Sequence, residues 1–346
     1  MSGMTSGVFG PRIAALACLL AACGGPGGGA AVAAEAAAAP AANPLTELVT
    51  LPYQPQSSTQ GTIRLAGSTT LQQAAAHWAH GFQRIHPQVQ CPIDAAGSEV
   101  GWQALLDGKA DVALLSRPVS EGERKAWSQH RDGRLVVVVA GFERLVWIVH
   151  PSNPITALQW SPEGGILGAG HGGAPRTAAP AWSDLNGDAA WKDVPVRIHG
   201  RGLSSGSRWH MDRLLTGGRA CDLAMVEHNN GTEIVEAVAA DRGSLGLVGE
   251  EHAHRPDIKR LPLTVPADAV PGADDVVGSD RTPDCRPLFL AVAVPADGAM
   301  PPPLREFLEY VLSYAGQLDV AKDGLLPLSR GEIHAQKELL GWSVAR

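Results

Sequence analysis

The sequence has no Cys-x-x-Cys pair, no His-Glu-x-x-His and no uninterrupted apolar run of membrane-spanning length. Without the first, a structural zinc site has no thiolate framework. Without the second, zinc-protease chemistry has no helix to stand on. The longest apolar stretch, "RLVVVVAGFERLVWIV", is broken by Glu143 and Arg144 and falls short of the ~20 residues a bilayer requires. Positive charge is also scarce. Lys and Arg total 28 against 35 Asp and Glu, a net charge of −7, which argues against a nucleic-acid binder with its basic patch. No "HGGG" oxyanion loop and no internal repeat of fixed period occur.

What remains is ordinary globular composition, 346 residues that are 45% apolar and 18% charged, long enough for one large domain or two lobes. Arg12 is followed by "IAALACLLAAC", the length of a signal-peptide core and too short to span a membrane. Within it "LAAC", Leu20–Cys23, resembles the bacterial lipobox, which implies a signal peptide over 1–22, cleavage before Cys23 and lipidation of its thiol; a plain secretory signal is the other reading. Gly24 stands where an inner-membrane retention signal would place Asp. Residues 23–60 begin "CGGPGGGAAVAAEAAAAP" and read as a disordered tether. Of the later cysteines, Cys91, Cys221 and Cys285 are odd in number, so at most one pair forms; Cys221 with Cys285 is a candidate that spacing does not decide.

Folded sequence is expected from about Gly61. "TIRLAG", "VQCPIDAAG" and "ADVALLS" read as strands, each followed by a helix. That alternation indicates a parallel sheet covered by helices. "LVVVVAG" and "LVWIVHP" then run almost end to end, as a crossing between lobes would. Residues 161–180 read as a Gly-, Ala- and Pro-rich surface loop. "VPVRIHG", "SLGLVG" and "RPLFLAVAVP" are further strands, and "PPPLREFLEYVLSYAGQLDVAKDG" reads as one amphipathic helix.

Three places share a strand, a small polar turn and a helix: "AGSTTLQQ", "AGSEVGWQ" and "RGLSSGSRW". The first turn of a helix leaves N–H groups unpaired and carries partial positive charge, so it receives an anion without a lysine. In open α/β sheets such turns collect at the carboxyl ends of the strands, where ligands bind. A Ser or Thr at any one of them is by itself a cap worth ~1 kcal/mol. Three in one chain, the third preceded by Arg201, point to a tetrahedral oxyanion.

The segments "IRLAGSTTLQQAAAHWAHGFQRIHP", "AAGSEVGWQALLDGKADVALLSRPVSEGE", "RGLSSGSRWHMDRLL", "DRGSLGLVG" and "RPLFLAVAVP" with "LREFLEYVLSYAGQLDVAKDGLLPLS" resemble the periplasmic phosphate-binding proteins of ABC importers, in their PstS-like branch. The resemblance runs from about Gly61 to Arg330. It implies an α/β, two-lobed periplasmic binding protein of the Venus-flytrap kind, each lobe a mainly parallel sheet flanked by helices. Lobe 1 is then 61–142 with 285–346, and lobe 2 is 143–284. It implies a monomer held to a membrane only by its lipid, with no cofactor, that delivers phosphate or a related oxyanion to an ABC permease. Phosphate is then held by Ser68, Thr69 and Thr70, by Ser98, by Ser116 and Arg117, and by Arg201 with Ser205, Gly206 and Ser207. The family's aspartate after the third strand, which accepts the proton of hydrogen phosphate, is matched here by Ser116. That leaves phosphate against sulfate open, with Glu99 and Asp111 as weak substitutes. Arg117 has a second reading, as a surface ion pair.

A rival reading takes "GLSSG", Gly202–Gly206, as the G-x-S-x-G elbow of a secreted serine hydrolase, with Ser204 as nucleophile, His334 as base and Asp284 or Asp319 as acid. The pairs His77/His80 and His252/His254 read as solvated surface histidines rather than metal ligands.

Overall fold

The computed structural model describes residues 44–161, 164–168, 179–186, 188–217, 223–265 and 284–342. The segment expected to be a signal peptide, Cys23 and Cys221 lie outside the described residues. Helix α1 (Pro44–Leu48) comes first, then the short strand β1 (Gly61–Thr62) and strand β2 (Leu65–Gly67). A 3₁₀ turn, Thr69–Leu71, leads into α2 (Gln72–Ile85). The expected strand over 89–97 is two fragments, β3 (Val89–Gln90) and β4 (Ile93–Asp94), parted at Pro92, which has no N–H for a ladder. Helix α3 (Ser98–Leu106), β5 (Val112–Leu115) and α4 (Glu121–His130) follow as the sequence pattern requires. Ser120 and Glu123 form the capping box of α4.

The two apolar runs are one strand, β6 (Arg134–Val149). Beyond it come β7 (Leu158–Gln159), α5 (Trp182–Asn186), β8 (Arg197–Arg201), α6 (Gly206–Thr216), β9 (Met225–His228), α7 (Gly231–Ala240), β10 (Ser244–Gly249), β11 (Lys259–Leu261) and β12 (Leu263–Thr264). Strand β13 (Cys285–Val294) returns to the first half, and α8 (Pro302–Val311), α9 (Tyr314–Lys322) and α10 (Arg330–Leu339) close it. The single long helix expected near the C-terminus is therefore two. Ser313 caps α9, and Gly316 packs so tightly under α8 that a Cβ there would meet the Tyr310 carbonyl at 2.2 Å.

The main sheet has the order β4-β2-β5-β13-β6-β10-β8-β9, with β11 also on β6. Strands β4, β2 and β5 are parallel, as are β10, β8 and β9. Between them β13 and β6 are antiparallel, from Cys285 opposite Arg144 to Val294 opposite Arg134. The remaining end of β6, Leu145–Val149, pairs with β10. One strand thus serves both halves of the molecule. The cores change where its charged residues sit. Residues up to Phe142 pack with Trp78, Phe82, Leu114, Leu290 and Phe307. From Leu145 on, alternate side chains feed two other clusters: Leu145, Trp147 and Val149 join Ile198 and Leu214, while Val146 and Ile148 join Ile234 and Val238. Each parallel set carries helices on its faces, which makes the molecule a two-lobed α/β protein.

Ordered structure begins earlier than the expected Gly61. Leu48 is fully buried in the first core. The Tyr53 hydroxyl and the N–H groups of Gln56 and Ser57 donate to the buried Glu306 carboxylate at 2.6, 3.0 and 2.9 Å. The apolar spacing of "LTELVTLPY" was concealed by the Gly- and Ala-rich residues before it. Cys91 is an unpaired, partly buried thiol whose pKa is pushed up to about 11 by that burial. No helix among the described residues is long and apolar enough to cross a membrane.

Candidate functional site

The three helix mouths converge. Ser68 follows β2, and its Oγ accepts the Thr70 N–H at 3.2 Å. Ser98 opens α3, and its Oγ accepts the Ser116 N–H at 3.1 Å. Ser68 Oγ donates to Ser116 Oγ at 2.9 Å, and Ser98 Oγ lies 3.2 Å from the same atom. All three side chains are buried. Ser205 caps α6 by accepting the Ser207 N–H at 3.2 Å. Gly206 lies directly against this hydroxyl cluster, where a Cβ would come within 2.2 Å of Ser116 Oγ and 2.4 Å of its carbonyl oxygen. A glycine is required there because the start of α6 and the end of β5 approach backbone to backbone.

Beside this contact lies a cleft of about 280 Å³, near the lower bound for small-molecule sites. Of the residues expected to bind the anion, Thr69, Thr70, Arg201 and Ser207 line it. Ser68, Ser98, Ser116, Ser205 and Gly206 stand behind it as capping and packing groups. Arg117 is not on the cleft. Its guanidinium makes two 2.8 Å bonds to Glu123 and one of 2.7 Å to Glu99, and the bonds to Glu123 hold its pKa up. The expectation that Arg117 binds the anion is corrected accordingly. Its fork is taken by the capping glutamate of α4. Glu99 is spent on Arg117, and Asp111 on Arg64, so neither substitutes for the family's aspartate.

Arg201 ends β8 and is half-buried, and its guanidinium has no hydrogen bond or ion pair to another described residue. Burial lowers its pKa, and the neighbouring Arg286 adds to the effect. An unpaired, partly desolvated guanidinium is costly unless something negative joins it. The sequence alone does not single out Arg286, and it offers Glu143 only as a break in an apolar run. They face each other across the β13–β6 ladder and form an ion pair, with side chains 1% and 8% exposed. Arg286 also donates to Ser207 Oγ at 2.9 Å and to Thr70 Oγ1 at 3.2 Å. The available signal was a charged residue inside each of two apolar strands, which implies a buried partner of opposite sign.

Glu251, His252 and Asp323 also line the cleft. Asp323 Oδ2 accepts the Ala74 N–H at 3.1 Å, in the first turn of α2. Burial, with repulsion from Glu251 and Glu143, raises its pKa to about 6. Glu251 is raised in the same direction, by the part of it shielded in the cleft and by Glu143. His252, expected to be solvated, contacts Gly231 and lies 3.3 Å from Glu251. The start of α7, Asn230 and Gly231, is a further helix mouth on the cleft that the sequence reading passed over.

Such a cleft can bind and orient an anion; the hydrolase reading does not fit it. Ser204 sits exposed in the turn before α6, bonded to no histidine among the described residues. His334 belongs to α10, and the Asp319 carboxylate is engaged by Tyr310 and Lys322.

Fold and cleft together define a two-lobed binding protein, built to enclose a ligand. The family comparison agrees. Residues 53–314 match the model of the PBP superfamily domain, and the chain belongs to that superfamily. It is similar to the phosphate-binding protein PstS of Pseudomonas aeruginosa, at 27% identity over 80% of this chain and 86% of that protein. It is also similar to the protein SphX of Synechococcus elongatus, at 23% identity over 85% and 90%. Among solved structures it resembles an ABC-type phosphate transport receptor from Vibrio cholerae, with a TM-score of 0.57 and 21% identity over 77% of this chain and 100% of that one. PstS from Borrelia burgdorferi gives 0.51 and 19% over 78% and 99%. Two of these, the Pseudomonas aeruginosa and Vibrio cholerae proteins, are named for phosphate binding or phosphate transport.

Proposed function

We propose that this protein captures inorganic phosphate between its lobes and delivers it to an ABC permease, acting as a monomer tethered to a membrane by lipid on Cys23. The observation that carries the proposal is Arg201, a half-buried guanidinium with no partner among the described residues, on a cleft that Thr69, Thr70 and Ser207 also line. Lobe 1 comprises 61–142 and 285–346 with the added arm 44–60, and lobe 2 comprises 143–284. Thr70 and Ser207 reach the anion from opposite lobes, so closure brings donors together that neither lobe offers alone. Ser68, Ser98, Ser116, Ser205 and Gly206 hold those mouths in place.

Glu251 and Asp323 supply the acceptor-only group that Ser116, a hydroxyl, is not. An ionised carboxylate only accepts, so it welcomes the O–H of hydrogen phosphate and opposes the bare oxygens of sulfate. The names of the relatives, phosphate-binding proteins among them, support the same ligand. Equilibrium dialysis of ligand-stripped protein against labelled phosphate, with excess sulfate as competitor, tests the reading. Phosphate should be retained and sulfate should not displace it. No retained phosphate removes the proposal. Replacement of Cys23 by Ser should release the protein from the membrane fraction; continued membrane association would dismiss the anchor.

A further inference from the structure

We infer that Arg286 is a positioning residue that biases the hydrogen-bond sense of the site, favouring the hydroxyls of Thr70 and Ser207 as donors to a deprotonated oxygen of the ligand. The inference rests on the anion-binding reading above. A hydroxyl has one proton and two acceptor lone pairs. One lone pair of Ser207 Oγ is taken by Arg286 Nη1 at 2.9 Å and one of Thr70 Oγ1 by Nη2 at 3.2 Å. Neither hydroxyl donates to a described residue, so both protons are left for the occupant of the cleft that Thr70 and Ser207 line. A guanidinium cannot accept, so neither hydroxyl can spend its proton on Arg286, and the lone pair each oxygen keeps is made a poorer acceptor by the charged donor already bound there. A charged donor on the oxygen also polarises the O–H and strengthens the next bond in the chain.

Arg286 can do this because of where the fold puts it. Its side chain is 1% exposed, and Glu143, directly opposite on β6, balances its charge. It reaches one hydroxyl at the mouth of α2 and one at the mouth of α6, which come from different lobes. Its Nε is buried with no partner. A brace for the fold alone has no need to hold two cleft-lining hydroxyls by their lone pairs.

The consequence is a preference among protonation states. Hydrogen phosphate has one O–H, which the carboxylate wall takes while bare oxygens face Thr70 and Ser207. Dihydrogen phosphate has two, and at pH 5 the second meets either Asp323, largely protonated below its pKa of about 6, or a hydroxyl biased toward donating. The charged and titratable groups around the site are Arg201, Glu143, Glu251, His252 and Asp323, with His77 and Glu233 further out. Arg286 acts on Glu251 and Arg201 through its charge, which Arg286→Lys retains.

The test is phosphate affinity of the full chain at pH 5 and pH 8, for wild type and Arg286→Lys. Lysine keeps the charge beside Glu143 but cannot hold two hydroxyls and a carboxylate in one plane. Without the charged donor the hydroxyls become better acceptors. The variant should bind at least tenfold more weakly than wild type at pH 8 and within about threefold at pH 5. An equal factor at both pH values, or no loss at either, overturns the inference. If Arg286→Lys does not fold, Ser207→Ala, which removes one dedicated donor from a partly exposed position, must show the same inequality, and an equal factor overturns the inference there too. Failure of the wild type to bind phosphate at all would count against the anion-binding reading instead.

Discussion

Arg201 and Arg286 stand at one cleft under different constraints. Arg286 is held by Glu143 and two hydroxyls, whereas Arg201 is held by no described residue and its charge is disfavoured by burial. Arg201→Ala should therefore weaken phosphate binding by ~1.5–3 kcal/mol, the scale of a charge-assisted bond, with no fall in the Tm of the ligand-free protein. Parallel titration and thermal denaturation check both halves, and a lower Tm would mean a structural partner exists. Asp323 makes a second prediction. Its folded pKa, about 6, lies above the ordinary value of 3.8. The folded state favours the protonated form, so this contribution to stability is complete below pH ~4 and is lost as pH rises through about 6. Asp323→Asn, which keeps an oxygen for the Ala74 N–H, should flatten that part of the Tm–pH curve and be the more stable protein at pH 8. An unchanged curve would contradict it. The hydroxyls and Arg201 were legible because small polar residues between a strand and a helix have a local cause. Arg286 and Glu143 were not, because their pairing joins residues 143 apart. Arg117 misled for a related reason: its partner is a capping glutamate whose second role no spacing rule contains.

At the scale of elements, the approach of α6 to β5 is the contact most sensitive to a single atom. A methyl on Gly206 would press on Ser116 Oγ and on its backbone, and the backbone cannot rotate aside. Gly206→Ala should cost ~1–3 kcal/mol by overpacking, measured by denaturant unfolding, and should also weaken phosphate binding by moving Ser207. Full affinity with full stability would show that the helix mouth does not need this contact. The continuity of β6 was half-legible. Glu143 and Arg144 look like a break, yet Glu143 is neutralised by Arg286 and Arg144 is exposed, so the ladder runs on. The split of α8 from α9 was masked by an amphipathic pattern that continues across it. Ser313 followed by Gly316 was the only local mark of a new cap.

At the scale of the molecule, strand–helix alternation was enough for the class of fold, and the resemblance supplied the two lobes. The arm over 44–60 was lost to averaging over a Gly- and Ala-rich stretch. It closes the first lobe by satisfying the buried Glu306 carboxylate with Tyr53, Gln56 and Ser57. Deletion through residue 60 would leave that carboxylate without these donors and should cost more than ~3 kcal/mol, whereas removal of residues before 44 should leave Tm unchanged. Equal Tm values for the two truncations would return the arm to the tether.

The central claim is that donors from two lobes and the Arg201 guanidinium enclose one phosphate. Calorimetric titration of ligand-stripped protein with phosphate, for wild type and Arg201→Ala, tests it most directly. The account predicts one site per chain and an affinity at least tenfold lower in the variant. No heat with phosphate, or an identical isotherm for both proteins, would contradict it.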